Sequence, residues 1–230
     1  MISLLCPTRN RVAKLKRMWE SVQETADNPD QIELVLYVDH DDSNTLSFLQ
    51  SNLKDANVTV SDPDKKEIYS NLHNICCERA THNIVMGCAD DVEFQTGGWD
   101  TEVIRRFSEI DDGIGFVYPN DGRHGEVLGT HGFFTKTWYF TLGYLAPPIF
   151  SVDYSDNYVM EVSRAIGRAF YMPDVLVEHM HWTFGKSDFD QTAREAHHRR
   201  QTTNNAQIFE SSKPQMQQDI QKLRAKINEA

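Results

Sequence analysis

The chain has 230 residues, 40% of them hydrophobic, which suits one core with terminal additions rather than a tandem of domains. Its formal net charge of −11 at pH 7 opposes a nucleic-acid partner, because that affinity depends on Lys and Arg releasing counterions from phosphates. No run of about 18 apolar residues and no signal-peptide pattern is present, so no membrane span is expected and the cytoplasm is the expected setting.

In chain order, Ile2-Ser3-Leu4-Leu5-Cys6 reads as a short buried strand that Pro7 should end, since proline cannot donate to a central ladder. Val12, Leu15, Trp19 and Val22 recur at helical spacing from Arg11 onward, and that helix stops before Asp27-Asn28-Pro29-Asp30. A β-rich run over 32–38 follows and ends at Asp39-His40-Asp41-Asp42. The spacing then predicts a helix near 43–53, a strand at 58–60, a helix at 69–80 and a strand at 83–88 that runs into Ala89-Asp90-Asp91. Alternating strands and helices imply a mainly parallel sheet with helices on both faces, whose ligands sit outside the carboxyl ends of the strands. Three such ends finish in Pro7-Thr8-Arg9-Asn10-Arg11, in Asp39 to Asp42 and in Asp90-Asp91, so polar groups should converge there.

The second half is less regular. Segments 113–118, 125–132 and 143–150 are rich in Gly, Pro and aromatics and read as loops lining a pocket. Residues 156–166 read as a helix, 174–180 as a strand ending in His179-Met180-His181-Trp182, and the chain turns helical again after Asp190. The tail carries Met216, Ile220, Leu223 and Ile227 at helical spacing, a stripe suited to packing on the same domain or on a partner subunit, the latter a route to a homo-oligomer. Cys6, Cys76, Cys77 and Cys88 form no C-x-x-C motif and read as reduced core thiols.

Two adjacent carboxylates at a strand end repel unless something neutralises them. A solvated acidic turn would also hold such a pair, but the neighbouring polar strand ends favour a divalent cation, and oxygen ligands suit Mg²⁺ or Mn²⁺ with a diphosphate completing the shell. His179 and His181 fall on one face of an extended segment and could supply one metal ligand and one substrate contact. Asp153, Asp156, Glu161 and Glu126 are each able to act as a general base, and their spacing does not choose among them. Arg9, Arg11, Lys65 and Lys66 are the basic residues available to phosphate.

This pattern resembles the GT-A fold glycosyltransferases, specifically the family-2-like group with short phage and bacterial relatives, from about residue 2 to 190. The resemblance implies a mixed, mainly parallel α/β sheet flanked by helices, with a nucleotide-binding half at 1–95, a sugar and acceptor half at 96–190, and a helical extension at 191–230. It implies that the turn of Pro7, Thr8, Arg9 and Arg11 contacts the nucleotide and that Asp39 binds the base. Cys88-Ala89-Asp90-Asp91-Val92 stands in place of the family's D-x-D, with Ala at 89; by resemblance Asp90 serves the ribose or supports the metal, and Asp91 binds the metal. Ser155-Asp156-Asn157-Tyr158 looks like the element that carries the catalytic acid, which makes Asp156 the base and Asp153 its reserve. A late histidine, His179 or His181, completes the metal shell, and residues 129–134 occupy the donor-sugar region. The implied activity is inverting, Mn²⁺- or Mg²⁺-dependent transfer from a UDP- or GDP-type sugar to an acceptor hydroxyl. A sugar nucleotidyltransferase would need a Gly-rich phosphate loop that 7–11 lacks. A non-catalytic nucleotide- or carbohydrate-binding protein of the same fold would leave Asp156 and the acidic pair idle.

Overall fold

A computed structural model of the chain describes residues 1–229. The elements run β1 (Ile2–Thr8), α1 (Val12–Thr25), β2 (Ile32–Val38), α2 (Ser43–Asn52), β3 (Asn57–Val60), α3 (Tyr69–Arg79), β4 (Ile84–Gly87), β5 (Val92–Phe94), α4 (Trp99–Ser108), β6 (Phe116–Asn120), β7 (Gly132–Thr135), α5 (Lys136–Leu142), α6 (Ser155–Ala165), β8 (Ala169–His179), α7 (Gln191–Thr202), α8 (Asn205–Ser211) and α9 (Lys213–Ile227). One sheet has the order β3-β2-β1-β4-β7-β6-β8-β5. The β1–β2, β1–β4, β2–β3 and β6–β8 pairs are parallel, while β4–β7, β6–β7 and β5–β8 are antiparallel, so the sheet is mixed.

Strand β1 shows why both faces are covered. Ile2, Leu4 and Cys6 join a core with Leu15, Met18 and Val22 of α1 and Trp99 and Val103 of α4. Leu5 points the other way, into a core with Cys76 and Cys77 of α3, Trp138 of α5 and Val162 of α6. Trp99, fully buried, lies 4.6 Å from Phe94 between ring centroids, and burying each such ring contributes roughly 1.5–3 kcal/mol. All four cysteines are free and buried.

Three expectations from the sequence need correction. Strand β1 does not end at Cys6 but continues through Pro7 to Thr8. Its pairing with β4 ends at Leu5 and Gly87, and the Leu5 carbonyl accepts from Cys88 N–H; by alternation the missing Pro7 N–H faces the side that β4 has left, so no ladder bond is lost. Strand β8 begins at Ala169, well before 174, because Ala169 to Met172 pair with β6 and an irregularity at Pro119/Asn120 absorbs Pro173, Asp174 and Val175. The supposed loops contain β6 and the start of β7: Phe116, Val117, Tyr118 and Phe133 are buried, and a strand buried on both faces shows no alternation.

The apolar stripe of α9 is taken up within the chain, where Met216, Ile220 and Leu223 pack in the second core beside α5 and α6. Asp219 on the same helix is fully buried and accepts 2.7 Å hydrogen bonds from the Tyr144 and Tyr158 hydroxyls. Among the described residues no helix is long and apolar enough to cross a membrane.

Candidate active site

The carboxyl ends of β1, β2 and β4 meet where the strand order reverses, and the turn after β1 distributes its residues between them. Thr8 Oγ1 donates to Asp90 Oδ2 at 2.7 Å. Arg9 points the other way, donating to Asp39 at 2.5 Å and to both oxygens of Asp41 at 2.6 and 2.9 Å. Asn10 takes a left-handed φ of 54°, which Asn tolerates, and its N–H donates to Asp42. The same Asp42 caps α2 by accepting from Thr45 N–H, which separates its role from those of Asp39 and Asp41. Arg11 then returns to the β4 side, with Nη1 3.0 Å from Asp90 and 3.5 Å from Asp91 and a two-pronged contact to Asp190. Lys14 adds a second cation on Asp190 at 2.6 Å.

Asp90 and Asp91 are both buried, at 3% and 6% exposure, yet their environments differ. Burial, reinforced by the charge of Asp91, pushes the Asp90 carboxyl up to about 6 despite its contacts with Arg11 and Thr8. Burial acts on Asp91 too, but His179, Arg11 and His131 hold it well below the usual carboxylate range. His179 Nε2 lies 3.5 Å from Asp91 Oδ1. Strand pairing explains this: Val92 pairs with His179 across β5 and β8, and Met180 N–H donates to the Asp91 carbonyl. His181 falls beyond the end of β8. Its Nδ1 accepts from Thr183 N–H and lies 2.8 Å from Thr183 Oγ1, an arrangement that leaves the proton of the neutral ring on Nε2. Burial and the charge of His179 push it down to about 4.

Beside this acidic pair a cavity of about 90 Å³ is lined by Tyr69, His73, Phe116, His131, Phe134 and Asp156, among others. Asp156 enters it from the first turn of α6, after Tyr154 bends the chain at φ 74°. Burial holds the Asp156 carboxyl above its usual range even though Asn157 N–H donates to it at 2.8 Å, and the charge of Asp153 adds to the rise. Tyr69 also lines this cavity, its ring edge-on to His73 with centroids 6.0 Å apart. His73 donates from Nε2 to the Cys88 carbonyl. His131 packs edge-on to His179 with ring centroids 4.8 Å apart, and its buried Nε2 has no hydrogen-bond partner. Burial first, then the charge of His179, pushes His131 down to about 3, so the ring is neutral.

The model of glycosyl transferase family 2 matches residues 3–163, more than two-thirds of the chain. The chain belongs to this family. No curated protein matches it in sequence. Among solved structures it is similar to a mannosyltransferase from Pyrobaculum calidifontis in complex with GDP-Man and Mn²⁺, with a TM-score of 0.61 and 16% identity over 78% of this chain and 57% of that one. It is similar to S. aureus TarS residues 1–349 in complex with UDP, with a TM-score of 0.60 and 12% identity over 98% and 82%. GalNAc-T7 with UDP, GalNAc and Mn²⁺ gives a TM-score of 0.62 and 14% identity over 79% and 43%. At these identities the neighbours establish a shared GT-A fold, and the chain spans little more than half the length of the mannosyltransferase.

Within this family 2 site the structure brings together Thr8, Arg11, Asp90, Asp91 and His179, with Arg9 and Asp39 on the neighbouring strand end. Pro7 lies in β1 itself. Asp153 stands apart from the cavity lining: both its oxygens accept from Arg200 Nε on α7, at 2.9 and 3.1 Å. Among the described residues no three His, Cys, Asp or Glu side chains form a metal-binding group. The donor set nevertheless fits a hard divalent cation, because the Asp91 oxygen and His179 nitrogen are spaced as two neighbouring ligands, and such cations take their remaining ligands from water and phosphate. Sequence reasoning did not single out Tyr69, His73 or Asp190. Tyr69 and His73 stand one turn apart on α3, a polar pair on one helix face that gave a usable signal. Asp190 caps α7 by accepting from Ala193 N–H, and nothing local announces its contact with Arg11.

Proposed function

We propose that this chain transfers a sugar from a nucleoside-diphosphate sugar to an acceptor hydroxyl, with inversion and with a divalent cation. The observation that carries this reading is the placement of a buried acidic pair, in contact with Arg11 and His179, beside a cavity that Asp156 also lines. The family 2 match and the nucleotide-bearing neighbours of the same fold support it. On this reading residues 1–95 hold the nucleotide, 96–190 the sugar and acceptor, and 191–230 form a helical extension.

Asp39, with Arg9, is assigned to the base and Asp90, with Thr8, to the ribose. Asp91 and His179 would hold the cation; His179 is favoured over His181 because the His181 nitrogen with the free lone pair is already engaged by Thr183. Bound there, Mn²⁺ or Mg²⁺ supplies positive charge opposite the leaving diphosphate. Arg11 is the residue best placed to exchange a carboxylate for phosphate oxygens. Asp156 takes the acceptor proton while the acceptor oxygen bonds the anomeric carbon and the bond from that carbon to the diphosphate oxygen breaks. One displacement across the cavity inverts the configuration.

The test is thermal shift and nucleoside-diphosphate release with UDP-glucose, UDP-galactose, UDP-GlcNAc and GDP-mannose, each with Mn²⁺, Mg²⁺ or EDTA. One donor is expected to stabilise the protein only with metal, by about 2.7 kcal/mol at 100 times Kd. Asp91→Asn is expected to abolish the metal-dependent gain and turnover while leaving the melting temperature of the free protein close to wild type. Full activity of that variant removes Asp91 from the metal site, and silence toward every donor favours a non-catalytic binding protein.

A further inference from the structure

The Asp156 side chain accepts only from Asn157 N–H, one residue on, so its place at the cavity is set by the backbone that carries it. That segment, 151–165, is held along its length by the C-terminal extension, which lies beyond the family 2 match ending at residue 163. Ser151 donates to Asn205 at 3.3 Å, and Arg200 donates to Asp153 at 2.9 Å. The Tyr154 ring lies 5.1 Å from that of Phe209 between centroids, and Arg224 donates to the Ala165 carbonyl at 2.6 Å. Among these contacts Asp219 of α9 accepts from the Tyr158 hydroxyl at 2.7 Å, two residues past Asp156 on α6.

Cohesion does not require a carboxylate at this position. Met216, Ile220 and Leu223 on the same face of α9 are buried apolar side chains, and an apolar residue at 219 would avoid the cost of taking an acidic group out of water. Asp219 is instead fully buried with both oxygens engaged: Oδ2 accepts from the Tyr144 and Tyr158 hydroxyls, each at 2.7 Å, and Oδ1 accepts from Gln215 Nε2 at 2.9 Å. Hydrogen bonds fix distance and direction, where apolar contact fixes only proximity. Tyr158 leads to the helix that bears Asp156. Tyr144 leads to Leu145 and Ala146, which line the same cavity and are pinned by Asn74: Leu145 N–H donates to Asn74 Oδ1, and Asn74 Nδ2 donates to the Ala146 carbonyl, both at 2.9 Å. One carboxylate therefore joins the helix of the proposed base to a loop that forms part of the cavity wall.

We propose that Asp219 is a positioning residue for the transfer step: through Tyr158 and Tyr144 it sets Asp156 relative to the cavity wall, so that this part of the extension serves turnover rather than donor binding. This inference rests on the transferase reading with Asp156 as its base, and deepens it. Reacting groups must be held closely, and a misplacement of about 1 Å caused by a change far from the chemistry lowers the rate about 10²-fold.

The test compares wild type with Asp219→Leu, Asp219→Asn, Tyr158→Phe and Leu223→Ala in the full chain with Mn²⁺, using whichever of UDP-glucose, UDP-galactose, UDP-GlcNAc and GDP-mannose wild type hydrolyses fastest. In this hydrolysis water is the acceptor: its oxygen bonds the anomeric carbon, the bond to the diphosphate oxygen breaks, and Asp156 takes the proton. Nucleoside-diphosphate release gives kcat, calorimetry gives donor affinity and thermal unfolding gives Tm. Asp219→Leu is expected to lower kcat roughly 10–10²-fold with donor affinity within about twofold of wild type. Tyr158→Phe, which loses only the hydroxyl, should show the same split at smaller size, and Asp219→Asn, which keeps the shape and one acceptor, should recover part of the Asp219→Leu loss. These two variants carry the test if Asp219→Leu does not fold. Leu223→Ala opens a cavity beneath the same helix without touching the hydrogen bonds, and should lower Tm while kcat, measured well below that Tm, stays within about twofold of wild type. An equal fall of kcat in Leu223→Ala would overturn the inference and reduce Asp219 to a stabilising role. Wild-type kcat in both Tyr158→Phe and Asp219→Asn, or donor affinity falling in step with kcat, would overturn it as well. Wild-type kcat in Asp156→Asn would remove the base that Asp219 is held to position, and wild type inert toward every donor would overturn the transferase reading itself.

Discussion

The two sides of the site are built on opposite principles. On the nucleotide side the charged groups are matched: Arg9 with Asp39 and Asp41, Arg11 with Asp90, Asp91 and Asp190, and Lys14 with Asp190. On the cavity side they are not. Asp156, half-buried, accepts only from its neighbour's N–H, and His131 Nε2 has no partner. The first arrangement holds its geometry by charge balance, so a ligand must exchange with existing partners. The second holds its geometry by packing and leaves the polar atoms for the ligand to complete. Desolvation favours the uncharged form of both the Asp156 carboxyl and the His131 imidazole, the reverse of the charge matching on the nucleotide side.

The largest effect that tests this contrast is on turnover. Asp156→Asn is expected to lower donor turnover by about 10²–10⁴-fold while leaving nucleoside-diphosphate affinity unchanged, as measured by steady-state kinetics and calorimetry. Loss of nucleotide affinity instead would dissolve the division between the two sides.

Next in size is a stability effect on the matched side. Arg11 is 12% exposed and shared by three carboxylates, so Arg11→Ala leaves buried charge uncompensated and should cost about 3–5 kcal/mol in denaturant unfolding. Arg11→Lys, which keeps the charge but loses the fork, should cost less. An unchanged unfolding midpoint in Arg11→Ala would show that charge balance does not hold this side together.

The smallest effect sharpens the comparison with a carboxylate at the far end of the same strands. Glu33 accepts from Ser3, from the N–H and hydroxyl of Thr81, and from Asn57. Burial would raise its pKa, but these donors outweigh it and hold the carboxyl below its ordinary 4.5. A depressed folded pKa contributes stability that is present above the unfolded value and is lost as pH falls through the folded one. Glu33→Gln should therefore cost about 1 kcal/mol near neutral pH, or ~2–4 °C in Tm, and the gap from wild type should close as the pH falls from 4.5 through the lowered folded pKa. A gap that persists at low pH would assign the loss to packing.

Much of the first half was legible because its signals are local. Strand runs bounded by polar ends, and helices with apolar residues one turn apart, place Thr8, Asp39, Asp90 and Asp91 at one edge without knowledge of any long-range contact. The reading faltered where a local rule was overridden from a distance. Pro7 stays in β1 because β4 departs at Leu5, and β8 crosses Pro173 because a bulge absorbs it. Strands β6 and β7 were hidden because burial on both faces erases alternation.

The sequence by itself determined the α/β alternation, the family resemblance and the convergence of polar strand ends, since each follows from residue spacing along a single element. Only the tertiary structure decided that His179 rather than His181 faces Asp91, that Arg11 is shared with Asp190 across 179 positions, and that His131 packs against His179 with its Nε2 buried and unpartnered. Those relations depend on which strands pair and which loops press on which rings. Such pairings are set by the packing of the whole core and leave no periodic trace along the chain.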